Sequence, residues 1–243
     1  MKILVLNCGS SSVKYKLFDM DSKEVLAQGG VEKVGLAGAF LKLTLPTGEK
    51  VQLDKDIPEH QTAIEFILST LTSAEYGAIK SLDEINAVGH RVVHGGEKYN
   101  KSVVINEEVK NYIEECFKLA PLHNPAGLAG ITACRKLLPT TPMVAVFDTA
   151  FHQTMDAVNY LYPVPYAWYE NYGVRKYGFH GTSHKFINRE ITAHFENENL
   201  KVISCHIGSG ASVCAINAGK VVDTSMGFSP MTGIMMGTRP GDM

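Results

Sequence analysis

The sequence predicts an α/β protein in which a three-stranded unit occurs twice. One sign is residues 202–225, where an apolar run leads into the turn His206-Ile207-Gly208-Ser209-Gly210 and two more apolar runs follow. That pattern reads as strand, turn and hairpin. The N-terminus repeats it: Ile3-Leu4-Val5-Leu6, then Asn7-Cys8-Gly9-Ser10-Ser11-Ser12, then Val13-Lys14-Tyr15-Lys16-Leu17-Phe18, with Gly9-Ser10 standing where Gly208-Ser209 stand. Between the copies, helical patterns alternate with short buried-strand runs, the mark of an α/β chain. A small-residue turn at a sheet edge can close its backbone N–H groups around an anion. One such turn is a weak signal, whereas two about 200 residues apart read as an internal repeat of a phosphate-holding unit.

The elements follow in order. Residues 3–8, 13–19 and 24–31 read as an antiparallel meander, the middle strand setting Val13, Tyr15 and Leu17 against Lys14 and Lys16. Residues 40–45 and 50–53 flank Pro46-Thr47-Gly48-Glu49, a hairpin signal for a peripheral ribbon. Pro58 opens a helix whose apolar face is Ala63, Ile64, Phe66, Ile67, Leu68 and Leu71. Residues 86–93 form a buried strand ending in the polar loop 94–98. Residues 106–119 form a helix, which Pro121-Leu122-His123-Asn124-Pro125 stops before another begins and runs to Leu138. The strand 143–147 delivers Asp148 at its C-terminal end. Residues 160–177, crowded with Tyr, Pro and the single Trp168, read as an irregular crossing segment. The next helix runs to about Phe195 with Thr182 or Ser183 as N-cap. The second meander is followed by a Gly- and Met-rich loop, 226–243. A three-stranded unit without crossover helices leaves sheet faces uncovered, so a truncated chain is expected.

The totals narrow the function. Lys and Arg number 23 against 25 Asp and Glu, with no basic block, which argues against nucleic acid or an anionic membrane as partner. No apolar run reaches the length of a membrane span, and the N-terminal apolar run is too short for a signal sequence, so a cytoplasmic protein acting on small molecules is expected. Five scattered cysteines without CxxC pairing suggest reduced, mostly buried thiols rather than disulfides or zinc.

Six segments carry a family resemblance: Asn7-Cys8-Gly9-Ser10-Ser11-Ser12, Gly89-His90-Arg91-Val92-Val93-His94-Gly95-Gly96, Ala120-Pro121-Leu122-His123-Asn124-Pro125, Phe147-Asp148-Thr149-Ala150-Phe151-His152, Tyr177-Gly178-Phe179-His180-Gly181-Thr182-Ser183-His184 and residues 206–212. Together, and in this order, they resemble the acetate and propionate kinases. The resemblance implies duplicated βββαβαβα units of the actin, hexokinase and Hsp70-like (ribonuclease H-like) type, the second incomplete. Residues 1–150 would be the first domain, carrying the acetate-side residues, and 151–243 the start of a nucleotide-binding second domain. It further implies Mg2+-dependent, reversible phosphoryl transfer between ATP and acetate, giving acetyl phosphate and ADP, in a protein that is a homodimer when full length. A propionate or butyrate kinase, or a fragment unable to transfer, are the alternative readings.

Phosphorylating a carboxylate requires alignment with the γ-phosphoryl group and neutralisation of its oxygens more than covalent help. Arg91 and Arg239 match the family's two active-site arginines, and a planar guanidinium fork suits both carboxylate and phosphate. Taken alone, Arg91 would more often be a surface ion pair. His180 matches the histidine that donates to the phosphoryl group in the transition state. His123 matches a supporting histidine, although a histidine beside two prolines is commonly structural. Asp148 matches the acid that orients substrate or metal-bound water; its bland role is a helix N-cap. Asn7 matches a residue associated with magnesium, whose other partner acid lies beyond Met243 in the family. Ser10, Ser12 and Lys14 on one side, and His206, Gly208, Ser209 and Gly210 on the other, would cradle ATP phosphates. Ser209 stands where the family usually has Asn, keeping a hydroxyl but losing the amide's reach and second donor. Val93, Leu122, Phe179 and Pro230 match an apolar pocket for the acetate methyl, a device that separates carboxylates by only about 1–3 kcal/mol per methylene.

Overall fold

A computed structural model describes residues 1–45 and 47–243; Pro46, the first residue of the expected 46–49 turn, lies outside the described residues. The chain divides into two compact units, one of residues 1–92 and 102–146, the other of residues 93–101 and 147–243.

The first unit is built on an eight-stranded sheet, with β1 (Lys2–Cys8), β2 (Ser12–Asp19), β3 (Glu24–Glu32), β4 (Phe40–Thr44), β5 (Lys50–Asp54), β6 (Ile85–Val92), β7 (Val103–Val104) and β8 (Met143–Phe147) in the order β5-β4-β3-β2-β1-β6-β8-β7. Strands β1 to β5 form one antiparallel meander, and β6 joins β1 in parallel. The expected peripheral ribbon is therefore the edge of the main sheet, because β4 pairs with β3 along five residues. Strand alternation decides the faces: Leu4, Leu6, Val13, Tyr15 and Leu17 are buried, whereas Val5, Lys14 and Lys16 are exposed. Two helices cover the buried face, α1 (His60–Leu71) over β2 and β3, and α3 (Asn124–Leu137) over β1 and β6. Ile64, Ile67, Leu71 and Ile131 are fully buried there, each contributing about 1.5–3 kcal/mol by leaving water. Between them in sequence, α2 (Glu107–Glu115) starts at Asn106, whose side chain accepts from the Val109 N–H at 2.9 Å.

The second unit holds the antiparallel sheet β11-β10-β9, made of β9 (Lys201–Ile207), β10 (Ala211–Asn217) and β11 (Lys220–Thr224). Ala218 and Gly219 both take positive φ (46° and 76°), as a two-residue hairpin of this hand requires. Helix α6 (Gly181–His194) packs on β9, and a 3-10 turn, Ala150–Thr154, packs on β11. Phe151, Met155, Cys214, Ile216 and Val221 form one core, and Val93, Phe179, Ala211, Met226 and Met236 a second.

Several expected boundaries move. Helix α1 begins at His60 with Glu59 as N-cap, so Pro58 lies outside it. The 106–119 helix breaks after Glu115 into a 3-10 turn, Cys116–Lys118. The aromatic segment is not irregular throughout, since it contains α5 (Tyr166–Tyr172), after α4 (Ala157–Tyr160). Tyr160, Tyr166 and Tyr169 pack ring against ring, and Gly173 closes α5 in the left-handed conformation at φ 64°. The N-cap of α6 is His180, at φ 57°, rather than Thr182 or Ser183. The cause is close packing at the next residue: the Gly181 N–H donates to the Asp148 carbonyl at 2.8 Å, and a Cβ at Gly181 would lie 2.3 Å from that oxygen.

Candidate active site

In the first unit, the site residues gather at the C-terminal ends of the parallel strands β1 and β6, where α/β sheets place ligand groups. Arg91 Nη1 donates to Asn7 Oδ1 at 3.0 Å, so the amide oxygen orients the guanidinium. Asn7 faces Lys14 across the β1–β2 pair. In the intervening turn, the Gly9 N–H donates to the Ser12 carbonyl at 2.8 Å, and His60 Nε2 donates to the Gly9 carbonyl at 2.7 Å. The turn is thus held from within and from α1, leaving Ser10 exposed and Ser12 half-buried. His60 had no motif to mark it. His123 is the half-buried N-cap of α3, and its N–H donates to the Ala120 carbonyl at 3.1 Å. Leu122 is 75% exposed.

The second unit brings a larger set together. The His180 ring stacks on His206 with centroids 4.0 Å apart and planes 22° from parallel. His206 Nδ1 lies 2.9 Å from Ser183 Oγ, so the hydroxyl expected as a helix cap instead orients this imidazole. His180 Nδ1 lies 2.8 Å from Ser212 Oγ. A left-handed backbone at a non-glycine residue costs on the order of 1–3 kcal/mol and is a common feature of functional sites. Gly210 marks the point of convergence. A Cβ there would lie 2.5 Å from Arg239 Nη2 and 3.4 Å from His180 Nε2, so the turn, the guanidinium and the imidazole edge border one small space. Arg239 is held in place: its Nη1 donates to the Pro230 carbonyl at 2.6 Å, its carbonyl accepts from the Met236 N–H at 2.9 Å, and the Gly237 N–H reaches the Ser209 carbonyl at 3.3 Å. Gly208 completes the turn between β9 and β10.

Asp148 follows β8 and is buried, its carbonyl engaged by α6 as described. It is not the cap of the following 3-10 turn, where Thr149 holds that position. Val93 and Phe179 share one buried cluster with Ala211, Met226 and Met236, and Pro230 is half-buried. Leu122 belongs to the first unit and is not in this cluster.

The surroundings fix charge states. Burial pushes His152 down to about 4, and burial together with the imidazoles of His152, His180 and His206 pushes His184 down to about 4, so both rings are neutral. His152 Nε2 donates to the Phe179 carbonyl at 2.8 Å, securing the residue before His180. Cys8, Cys134 and Cys214 are buried thiols pushed up to about 12, chiefly by burial, and are unreactive in that state. Among the described residues, no group of three or more His, Cys, Asp or Glu gathers as a metal cage.

Sequence reasoning did not find Ser212, Ser204 or His184 as site residues. A signal existed. His184 lies four residues after His180, one turn into the helix that His180 caps, and Ser204 and Ser212 share one strand face with the motif residue His206, so that face calls for polar partners.

Two units, each with a βββ meander carrying a small-residue turn, define a protein of the actin and hexokinase type, and solved kinases share the fold. The structure matches that of Porphyromonas gingivalis acetate kinase with a TM-score of 0.96 at 57% identity, and a propionate kinase from Francisella tularensis with a TM-score of 0.93 at 40% identity. Each comparison covers all of this chain and 61% of the other. The chain belongs to the Acetokinase family, whose model matches residues 2–243. It is 62% identical over 245 residues to the acetate kinase of Phocaeicola vulgatus, and equally so to that of Bacteroides fragilis. The chain spans about 62% of the length of these relatives. The family resemblance read from the six motifs is thereby borne out.

Proposed function

We propose that this protein takes part in acetate kinase chemistry, moving the γ-phosphoryl group of ATP in line onto acetate to give acetyl phosphate and ADP, reversibly. The observation that carries the reading is the convergence of Arg239 Nη2, His180 Nε2 and the Gly210 turn, a cationic fork and an imidazole beside a backbone that lets a phosphoryl group approach. Family membership supplies the reaction. In the proposal, Arg239 and His180 neutralise the transferring oxygens, and Arg91, oriented by Asn7, grips the acceptor carboxylate or the phosphoryl group. Asp148 orients substrate, His123 supports the acceptor side, and the turns Ser10, Ser12, Lys14 and His206, Gly208, Ser209, Gly210 hold ATP phosphates. Val93, Phe179 and Pro230 would receive the acetate methyl.

Magnesium fits this donor set as a companion of the nucleotide rather than a caged ion. Mg2+ keeps several waters and is held by one or two carboxylates or carbonyl oxygens plus substrate phosphates. The Asp148 carboxylate in the second unit is an oxygen donor of that kind, the Asn7 amide oxygen is one in the first, and magnesium held by either with the nucleotide would neutralise phosphate charge. A cytoplasmic homodimer completes the proposal; among the described residues, no helix is long and apolar enough to cross a membrane.

A second reading, a propionate or butyrate kinase, is favoured by the propionate kinase neighbour. One experiment separates them: ATP-dependent acyl phosphate formation on acetate, propionate and butyrate, with and without Mg2+. Acetate giving the highest kcat/KM supports the first reading, a maximum at a longer acid the second. No acyl phosphate from any of the three refutes both.

A further inference from the structure

Behind His180 lies a chain of buried polar groups to which the proposed reaction assigns no part. Ser212 Oγ, fully buried, sits 2.8 Å from His180 Nδ1 and 2.8 Å from His184 Nε2, and His184 Nδ1 sits 2.9 Å from Ser204 Oγ. Ser204 pairs with Cys214 and Ser212 with His206, which makes the two serines diagonal neighbours on one face of β9 and β10. His184 stands one helical turn from His180 on α6. Sheet and helix therefore hold all four groups in place.

A hydroxyl has one proton and two lone pairs, and a buried hydroxyl proton calls for an acceptor, so Ser212, lying between two imidazoles, donates to one and accepts from the other. His184 is neutral and has a single N–H. Two arrangements satisfy every bond. In one, Ser204 O–H donates to His184 Nδ1, His184 Nε2–H donates to Ser212, and Ser212 O–H donates to His180 Nδ1; the proton of His180 is then on Nε2. In the other, each bond runs backwards, and Nε2 of a neutral His180 is a bare lone pair. The buried end of the chain chooses between them: among the described residues Ser204 Oγ has His184 Nδ1 as its hydrogen-bond partner and no other, so only the first arrangement gives the Ser204 proton an acceptor. In that arrangement Nε2–H borders the Gly210 position that Arg239 Nη2 also borders. An anion drawn there by the guanidinium is served by an N–H and repelled by a lone pair. Should His180 take a second proton, the reversed arrangement accommodates it and Nε2 still donates.

We infer that Ser212, backed by His184 and Ser204, is a positioning residue that keeps the proton of His180 on Nε2, aimed at the space bordered by Gly210 and Arg239. The inference rests on the proposal that His180 donates to a phosphoryl group, but the tautomer can be measured without turnover.

The test is nitrogen-15 NMR of histidine-labelled protein with inorganic phosphate present, at a pH above the ordinary histidine value of about 6.5. The His180 signals are assigned by their loss in His180→Gln. The unsubstituted protein is expected to show Nε2–H alone, with Nδ1 as a hydrogen-bond acceptor. In Ser212→Ala the excess of that tautomer falls about tenfold toward the ratio of free imidazole, the worth of one hydrogen bond. Ser204→Ala, at the far end of the chain, gives a smaller loss in the same direction and serves if Ser212→Ala does not fold. An Nδ1–H signal in the unsubstituted protein, or an unchanged ratio in the folded serine variants, overturns the inference. The expected tautomer without any acyl phosphate formation would leave the positioning intact and sink the kinase reading instead.

Discussion

A single methyl group at Gly210 should separate the site from the fold. The backbone there does not need positive φ, so alanine is tolerated conformationally, but its Cβ would stand 2.5 Å from Arg239 Nη2 and 3.4 to 3.5 Å from the His180 ring. Ordinary contact between such atoms begins near 3.5 Å, so the guanidinium must retreat by about 1 Å. It is the end of a flexible side chain, and the stability cost should stay within about 1 kcal/mol. A 1 Å displacement of groups around a reacting phosphoryl costs on the order of 100-fold in rate, or about 2.7 kcal/mol of transition-state stabilisation. The assay is kcat/KM for ATP-dependent acetyl phosphate formation beside a thermal melt. Gly181→Ala is the contrast. Its Cβ would meet the Asp148 carbonyl oxygen at 2.3 Å, a main-chain atom that cannot swing away. That variant should lose about 2–3 kcal/mol, a fall of several degrees in Tm. Unchanged turnover in Gly210→Ala, or a fall in its Tm as large as that of Gly181→Ala, would refute the reasoning.

Acid should destabilise the protein through its buried imidazoles. His90, His94, His152 and His184 are each pushed down to about 4, with burial the leading cause. Their folded values lie below the unfolded value of about 6.5, so the stability they contribute is complete above that pH and is lost as pH falls from there through 4, at about 1.4 kcal/mol per pH unit for each ring. A urea midpoint that stays flat between those limits would contradict the assignment. Thiol labelling reads the interior independently. Cys205 is exposed and the other four cysteines are buried, with Cys116 pushed up to about 11 and the rest to about 12. One label is expected on the native protein and five in denaturant, and fast labelling of a second thiol in the native state would count against this packing. In the first unit, Arg91→Ala should leave Tm within a few degrees, since this half-buried polar side chain at a strand end is no part of the apolar core, while lowering acetyl phosphate formation by at least about 100-fold. Near-normal turnover would remove Arg91 from the proposed machinery.

The two meanders were legible because strand alternation is a strong local signal. Val13, Tyr15 and Leu17 against Lys14 and Lys16 announce a strand with one buried face, and the structure buries that face. Helix starts were less legible where tertiary contacts decide them. Thr182 and Ser183 are good caps by composition, yet α6 begins at Gly181 because that residue alone can lie against the Asp148 carbonyl, a contact between distant parts of the sequence. Helix α5 was hidden by its tyrosines and flanking prolines, which are poor helix formers taken singly and are held by one another's rings. The candidate site divides in the same way. His180, Arg239 and Gly210 stood out as motif residues, but their approach to one point depends on the loop 226–243 folding back on the β9–β10 turn, which no local pattern specifies. Ser212 and His184 were invisible as a pair because their link is a buried hydroxyl that joins a strand to a helix 28 residues away.

The central claim is that Arg239, held beside Gly210 and His180, stabilises a phosphoryl group passing from ATP to acetate. Arg239→Ala tests it most directly, assayed for acetyl phosphate formed from ATP and acetate alongside the thermal melt. The account predicts a fall in kcat of about 10³-fold or more with Tm nearly unchanged, as for loss of an arginine that stabilises transition-state charge. Turnover within a few fold of the unsubstituted protein would contradict it.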